Sequence, residues 1–200
     1  MKSVRNRVSH LMVLTLLAIC LTFCFVPAEV SFCQIENAEK SLAPFVPTPM
    51  NIVRKMLEMA EVKKGDVVYD LGCGDGRIVV MAAKEFGARG VGVDIDPQRI
   101  EEARAKVKEN KIEDLVTIRQ QDAMTVDLSE ATVVTLYLLP KSNQKLQANL
   151  EKYLKPGVRV VSHSFGMEGW KEKKYEHFDD ANGFGHSIYL WIIGEQKEKK

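Results

Sequence analysis

Cysteine is scarce where the chain would fold: of four cysteines in 200 residues, only Cys73 lies beyond residue 33. One thiol cannot build a disulfide framework, and beside three glycines Cys73 reads as a small turn residue, not a nucleophile. No Gly-Lys-Ser/Thr phosphate loop follows the glycines, and their spacing is not the G-x-G-x-x-G of dinucleotide sites, which counts against a nicotinamide-dependent enzyme. There is no internal repeat, no sign of a second domain, and no metal site to assign. Neither charge dominates: 28 basic residues face 27 acidic ones, a net of +1. Residues 1–34 hold Lys2, Arg5, Arg7 and Glu29, so the rest carries about −1. That balance gives no electrostatic reason to expect a nucleic acid partner. A composition 46% hydrophobic and 28% charged is that of a globular protein, and about 150 residues suffice for an independent core.

One long apolar run is present. Residues 11–26 are almost wholly apolar, follow a basic start, and precede Pro27 and a polar stretch. This is the layout of a secretory signal peptide, with Val26-Pro27-Ala28 as the better cleavage site and Ser31-Phe32-Cys33 as a poorer one. The run is slightly short for a spanning helix, and an uncleaved anchor is the second reading. The positive-inside rule then puts the folded part outside the cytoplasm; an internal start would leave it cytoplasmic. The expected organisation is a leader or anchor over 1–34, a linker and proline-rich segment over 35–49, one domain over 50–195, and a charged tail over 196–200.

Apolar residues at 52, 53, 56, 57 and 60 predict a helix over 50–62, with Thr48 as N-cap and Pro49 in the first turn. Strand and helix signals then alternate. Strands are expected over 66–71, 90–94, 116–120, 132–138 and 158–164, and helices over 77–86, 97–110 and 141–154. Asp96 and Pro97 supply a cap and a first-turn proline. Residues 175–178 and 187–193 read as two final strands around a turn-rich stretch. The pattern implies an α/β fold: a Rossmann-like, doubly wound, mostly parallel seven-stranded sheet with a C-terminal antiparallel hairpin.

In such sheets ligands sit beyond the carboxyl ends of the strands. The first strand ends in Asp70-Leu71-Gly72-Cys73-Gly74-Asp75-Gly76. Glycine lets the backbone turn and lie against a ligand, the following helix offers its first N–H groups, and Asp70 suits an ammonium group. The second strand ends in Asp94, placed to accept from ribose hydroxyls. After the third comes Asp122-Ala123, where a carboxylate can accept from an adenine amino group; a plain turn residue is the alternative. The fourth ends in Tyr137, beside the reacting position or half in the core.

Asp70 with Gly72-x-Gly74-x-Gly76 resembles motif I of class I methyltransferases that use S-adenosylmethionine (SAM). From about Ala43 to Ile193 the chain resembles a smaller group, the broad-specificity archaeal and mitochondrial FAM173-type protein-lysine methyltransferases. The carriers are Pro44-Phe45-Val46-Pro47-Thr48-Pro49, the glycine turn, Gly92-Val93-Asp94-Ile95-Asp96, Val134-Thr135-Leu136-Tyr137-Leu138, and Arg159 to Phe165 with Trp170. It departs in having Asp94 where Glu is common and Leu42-Ala43 where an acid often stands. The resemblance implies SAM as cofactor, bound by Asp70, Gly72, Gly74, Asp94, Asp122 and Ala123. It implies a protein lysine as substrate, with Tyr137 orienting the amine. Phe45, Pro47 and Thr48 line the substrate or form a lid; a packed N-terminal strap is the other reading of that segment. His163 reads as a satisfied strand-end histidine more readily than as a base. The absence of an Asn/Asp-Pro-Pro-Tyr/Phe run after the fourth strand argues against amino-methylation of nucleic acid or glutamine. The rival functions are a small-molecule methyltransferase and a non-catalytic SAM-binding module. Membrane association is expected only through the N-terminal segment.

Overall fold

A computed structural model describes residues 42–180 and 183–196. The expected leader or anchor over 1–34 lies outside them, as does most of the 196–200 tail. Among the described residues no helix is long and apolar enough to cross a membrane.

The elements are α1 (Met50–Met59), β1 (Val67–Leu71), α2 (Arg77–Phe86), β2 (Arg89–Asp94), α3 (Pro97–Glu109), β3 (Val116–Gln120), β4 (Val133–Leu136), α4 (Pro140–Tyr153), β5 (Arg159–His163), β6 (Lys174–Asp179) and β7 (Gly185–Ile192), with a 3-10 turn at Ala123–Thr125. One seven-stranded sheet runs β3-β2-β1-β4-β5-β7-β6. β1 pairs in parallel with β2 on one side and β4 on the other, so the strand order reverses beside β1, where α/β sheets bind ligands. β7 is antiparallel to both β5 and β6, which gives the expected terminal hairpin.

Period-2 alternation divides the core between the two faces. Tyr69, Leu71, Val93, Val134, Leu136 and Val160 share a cluster with Leu146 and Leu150 of α4 and with Trp170 and Trp191. Val68, Val133, Val161, Ile188 and Leu190 pack on the other face against Ile52, Val53, Met56 and Leu57 of α1 and Ile78, Met81 and Ala82 of α2. β1 and β4 are buried along their whole length, as central strands covered on both faces should be.

Several boundaries differ from expectation. α1 stops at Met59 because Glu61 takes a left-handed φ of 51°. β4 is shorter than 132–138: pairing with β1 ends at Leu136, and Pro140 opens α4 soon after. Asp96 does cap α3, accepting from the N–H of Gln98 at 2.8 Å. Thr48 does not cap α1. Pro49 is the N-cap, its carbonyl accepting from the N–H groups of Ile52 and Val53 at 3.0 Å, and the Thr48 hydroxyl points to His163 instead.

Candidate active site

The glycine turn is clamped from β2. The N–H groups of Gly72 and Cys73 both donate to the Val93 carbonyl, at 2.8 and 2.9 Å. Gly74 N–H donates to Asp94 Oδ2 at 2.8 Å, and Asp94 Oδ1 accepts from Asp96 N–H at 3.0 Å. Asp94 thus fixes the turn while keeping lone pairs for further donors. Two glycines are needed for space as well as for conformation. Gly72 has φ of 83°, and a Cβ there would lie 2.9 Å from Leu138 Cδ2. A Cβ on Gly74 would lie 2.5 Å from Phe45 Cε2.

Asp70 is buried at the end of β1 and accepts from Thr135 Oγ1 at 2.7 Å. Burial pushes its carboxyl up to about 7 against the opposing pull of that hydrogen bond, and the carboxylates of Asp94 and Asp75 push the same way as burial. Among the described residues no cation acts on it. Burial and the neighbouring Asp70 and Asp94 also raise the Cys73 thiol, which fits a packed turn residue.

Asp75 behaves oppositely. It accepts from Arg77 Nε at 2.9 Å and Nη2 at 2.7 Å, and from Lys106 Nζ at 2.5 Å. Although burial pulls the other way, these two cations together hold its carboxyl well below the usual range. Arg77 Nη1 then donates to the Thr48 carbonyl at 2.8 Å, tying residues 42–49 to the glycine turn. That segment is fastened elsewhere too. Leu42 and Ala43 pack on the core, Ser142 Oγ donates to the Leu42 carbonyl, and the Arg99 guanidinium lies 4.4 Å from the Phe45 ring centroid. Pro47 is exposed between Phe45 and the buried Thr48.

Asp122 starts the 3-10 turn after β3, its Oδ1 accepting from Met124 N–H at 2.8 Å. Ala123 beside it is half-buried against the core. The Asp94–Gln120 register sets this turn beside the end of β2. Tyr137 follows β4, half-buried, its ring centroid 4.1 Å from that of His163. The carboxyl ends of β1 to β4 therefore bring together Asp70, the glycines, Asp94, Asp122, Ala123 and Tyr137, and the N-terminal segment adds Phe45 and Thr48.

The family model of the ANTKMT methyltransferase domain matches residues 70–174. The chain belongs to this methyltransferase family. A protein-lysine N-methyltransferase of Saccharolobus islandicus is 50% identical over 155 residues, 77% of this chain and 96% of that protein. A Xenopus laevis lysine N-methyltransferase named for an ATP synthase subunit is 29% identical over 131 residues, 66% of this chain and 57% of that protein. The chain thus spans little more than half of the latter. Among solved structures, an RNA methyltransferase from Salinibacter ruber in complex with S-adenosyl-L-homocysteine is 50% identical, with a TM-score of 0.70, over 78% of this chain and 96% of that one.

In this methyltransferase the side chains suit a cofactor with a cationic head and a diol. Asp70 is a buried acid whose charge a bound ammonium would stabilise, and Asp94 has acceptor capacity beside backbone that only glycine allows. Sequence reasoning assigned no role to Asp75 or Arg77, though both lie in or beside the motif it singled out. His186 and Asp180 gave no local signal. They come beside His163 because β7 lies antiparallel between β5 and β6.

Proposed function

We propose that this methyltransferase takes its methyl from SAM and transfers it to lysine side-chain amines of proteins. SAM supplies an electrophilic methyl on a sulfonium. Asp70 holds the ammonium end, Gly72 and Gly74 let the backbone lie close, Asp94 takes the ribose hydroxyls, and Asp122 with Ala123 takes the adenine. The observation that carries the lysine reading is the uncharged wall at the end of β4. There the Tyr137 ring lies tilted against His163, whose imidazole burial and neighbouring His186 push down to about 4. A neutral wall disfavours an ammonium, and an amine must lose its proton to attack. Tyr137 orients that amine through its hydroxyl or its ring face. The name of the 50%-identical archaeal relative points the same way.

RNA methylation is the second reading, favoured by the name of the Salinibacter protein. Incubating the chain with methyl-labelled SAM and separated protein, RNA and metabolite fractions decides among the targets. Label on lysine in the protein fraction, located by mass spectrometry, is the expected result; label confined to RNA or metabolites refutes it. We further read residues 1–34 as an export signal or anchor. Intact mass of the natively expressed protein, with fractionation, tests it: loss of 28 to 33 residues means cleavage, and a full-length protein in the cytoplasm refutes export and anchoring.

A further inference from the structure

The hydroxyl that would have capped α1 begins a line of four side chains. Thr48 Oγ1 lies 3.4 Å from His163 Nδ1, and His163 Nε2 lies 2.9 Å from His186 Nδ1. Among the described residues His186 Nε2 has no hydrogen-bond partner, and it faces Asp180 Oδ2 at 3.6 Å, an ion-pair separation. The other Asp180 oxygen accepts from Phe184 N–H at 2.9 Å. Three of the four are buried: Thr48, His163 and His186.

The direction of the hydrogen bonds in this line follows from its carboxylate end. Two neutral imidazoles joined nitrogen to nitrogen share one proton across the bond. A carboxylate attracts an N–H and repels a lone pair, so a neutral His186 carries its proton on Nε2 and accepts at Nδ1. His163 then donates from Nε2 and accepts at Nδ1. Thr48 in turn donates its only proton to that Nδ1, and its oxygen has nothing but lone pairs to offer any other group.

We propose that Asp180, His186 and His163 are positioning residues that hold the Thr48 oxygen as a hydrogen-bond acceptor for the substrate amine. The proposal rests on the lysine reading above. Its location supports it: the imidazole that takes the Thr48 proton is the one that the Tyr137 ring packs against, and Arg77 pins the Thr48 carbonyl. An oxygen committed as acceptor favours a substrate with an N–H to give. His163 is faced by Thr48 from the N-terminal segment, Tyr137 from β4 and His186 from β7, while Asp180 and the Phe178 ring face His186. Protonation of His163 at Nδ1 would turn the Thr48 hydroxyl around, and burial confines that event to pH near or below about 4.

Imidazole 15N–1H correlation spectra of the full chain at pH 7 read the tautomers directly. Both His163 and His186 are expected as Nε2–H. His186→Phe removes the acceptor for His163 Nε2, so His163 moves to Nδ1–H. Turnover on the protein fraction that wild type labels then falls about tenfold, the equivalent of one hydrogen bond to a charged or reacting group, while SAM affinity by calorimetry is unchanged. Thr48→Val shows the same fall with His163 still Nε2–H, and Thr48→Ser recovers most of it. If His186→Phe does not fold, the wild-type tautomers and the Thr48 pair still decide. His163 found as Nδ1–H in wild type, or wild-type turnover in Thr48→Val, overturns the proposal alone. A wild-type product methylated on oxygen or carbon overturns the lysine reading and the amine's place here with it.

Discussion

Asp70 carries a prediction that joins folding to binding. Its carboxyl stands at about 7 in the folded chain, against about 3.9 in an unfolded one. A raised acid pKa means that ionisation opposes folding. The associated stability is fully present below the unfolded pKa and is lost as pH rises through the folded one, between about pH 4 and pH 7. At 1.36 kcal/mol per unit, about 3 units amount to roughly 4 kcal/mol lost by pH 8. A cation bound against the carboxylate restores part of that. SAM affinity should therefore track the ionised fraction of Asp70 in the unliganded protein. With a pKa of about 7, that fraction is about 0.5 at pH 7 and about 0.01 at pH 5, a range in which the α-ammonium of SAM stays largely protonated, so binding weakens about fiftyfold over the interval. Calorimetry in buffers of different ionisation enthalpy should find up to one proton released on binding near pH 5 and half of one or less near pH 7. Asp70→Asn should bind weakly at every pH with no slope, yet be more stable than wild type at pH 8 without SAM. A flat wild-type profile, or an equal slope in Asp70→Asn, refutes the assignment of Asp70 to the ammonium.

Asp94→Ala should weaken SAM binding at least tenfold by calorimetry, since it removes the ribose acceptor and releases the N–H groups of Gly74 and Asp96; unchanged affinity removes the ribose role. Asp75→Asn should cost about 2–3 kcal/mol in urea unfolding at pH 7, because it strands the partly buried Arg77 and Lys106. The folded pKa of Asp75 is depressed, so its contribution is present above about pH 4 and fades as pH falls; a loss as large at pH 2 as at pH 7 would contradict it. Gly74→Ala should destabilise by about 1–3 kcal/mol through collision with Phe45. Phe45→Ala should relieve much of that in a double-mutant cycle, and strict additivity would show that the ring is not what Gly74 accommodates.

The parts of the site legible in the sequence are those carried by local signals. The glycines between a buried strand and a helix place β1, the turn and α2, and α2 occupies the expected 77–86. Asp96-Pro97 fixes the start of α3 because a cap and a first-turn proline act within one helical turn. What the sequence concealed is long-range. Thr48-Pro49 has the local chemistry of a cap, yet a partner 115 residues away takes the hydroxyl. His186 comes within reach of His163 because Ile188 pairs with His163 across β7 and β5, a register that periodicity alone does not supply. The Phe45–Pro49 segment reads at least as well as a packed strap as it does as a lid or part of the lysine channel, since the prolines at 44, 47 and 49 dictate an extended backbone but not what it lies against. Arg77 and Arg99 decide that it lies on the glycine turn.

The charges divide along the sheet in a way that bears on the chemistry. Carboxylates gather around the glycine turn, where Asp94 and Asp75 add to the cost of ionising the buried Asp70, and among the described residues Arg77 and Lys106 pair with Asp75. Past β4 the three groups nearest the strand end are uncharged: a tyrosine ring, a threonine hydroxyl and an imidazole kept neutral by burial, with the Asp180 carboxylate beyond His186. A cationic cofactor is stabilised at the first end. An amine at the second meets a ring, a hydroxyl and a neutral imidazole, none of which keeps it protonated. A sulfonium close by would lower its pKa further. Placing acids at one end and neutral groups at the other thus favours the cofactor as a cation and the nucleophile as a neutral amine at the same pH. A carboxylate introduced beside the amine, as in Thr48→Asp, should keep the amine protonated and move the pH dependence of methyl transfer upward. An unmoved profile with activity retained would show that the neutrality of that wall does not govern the nucleophile.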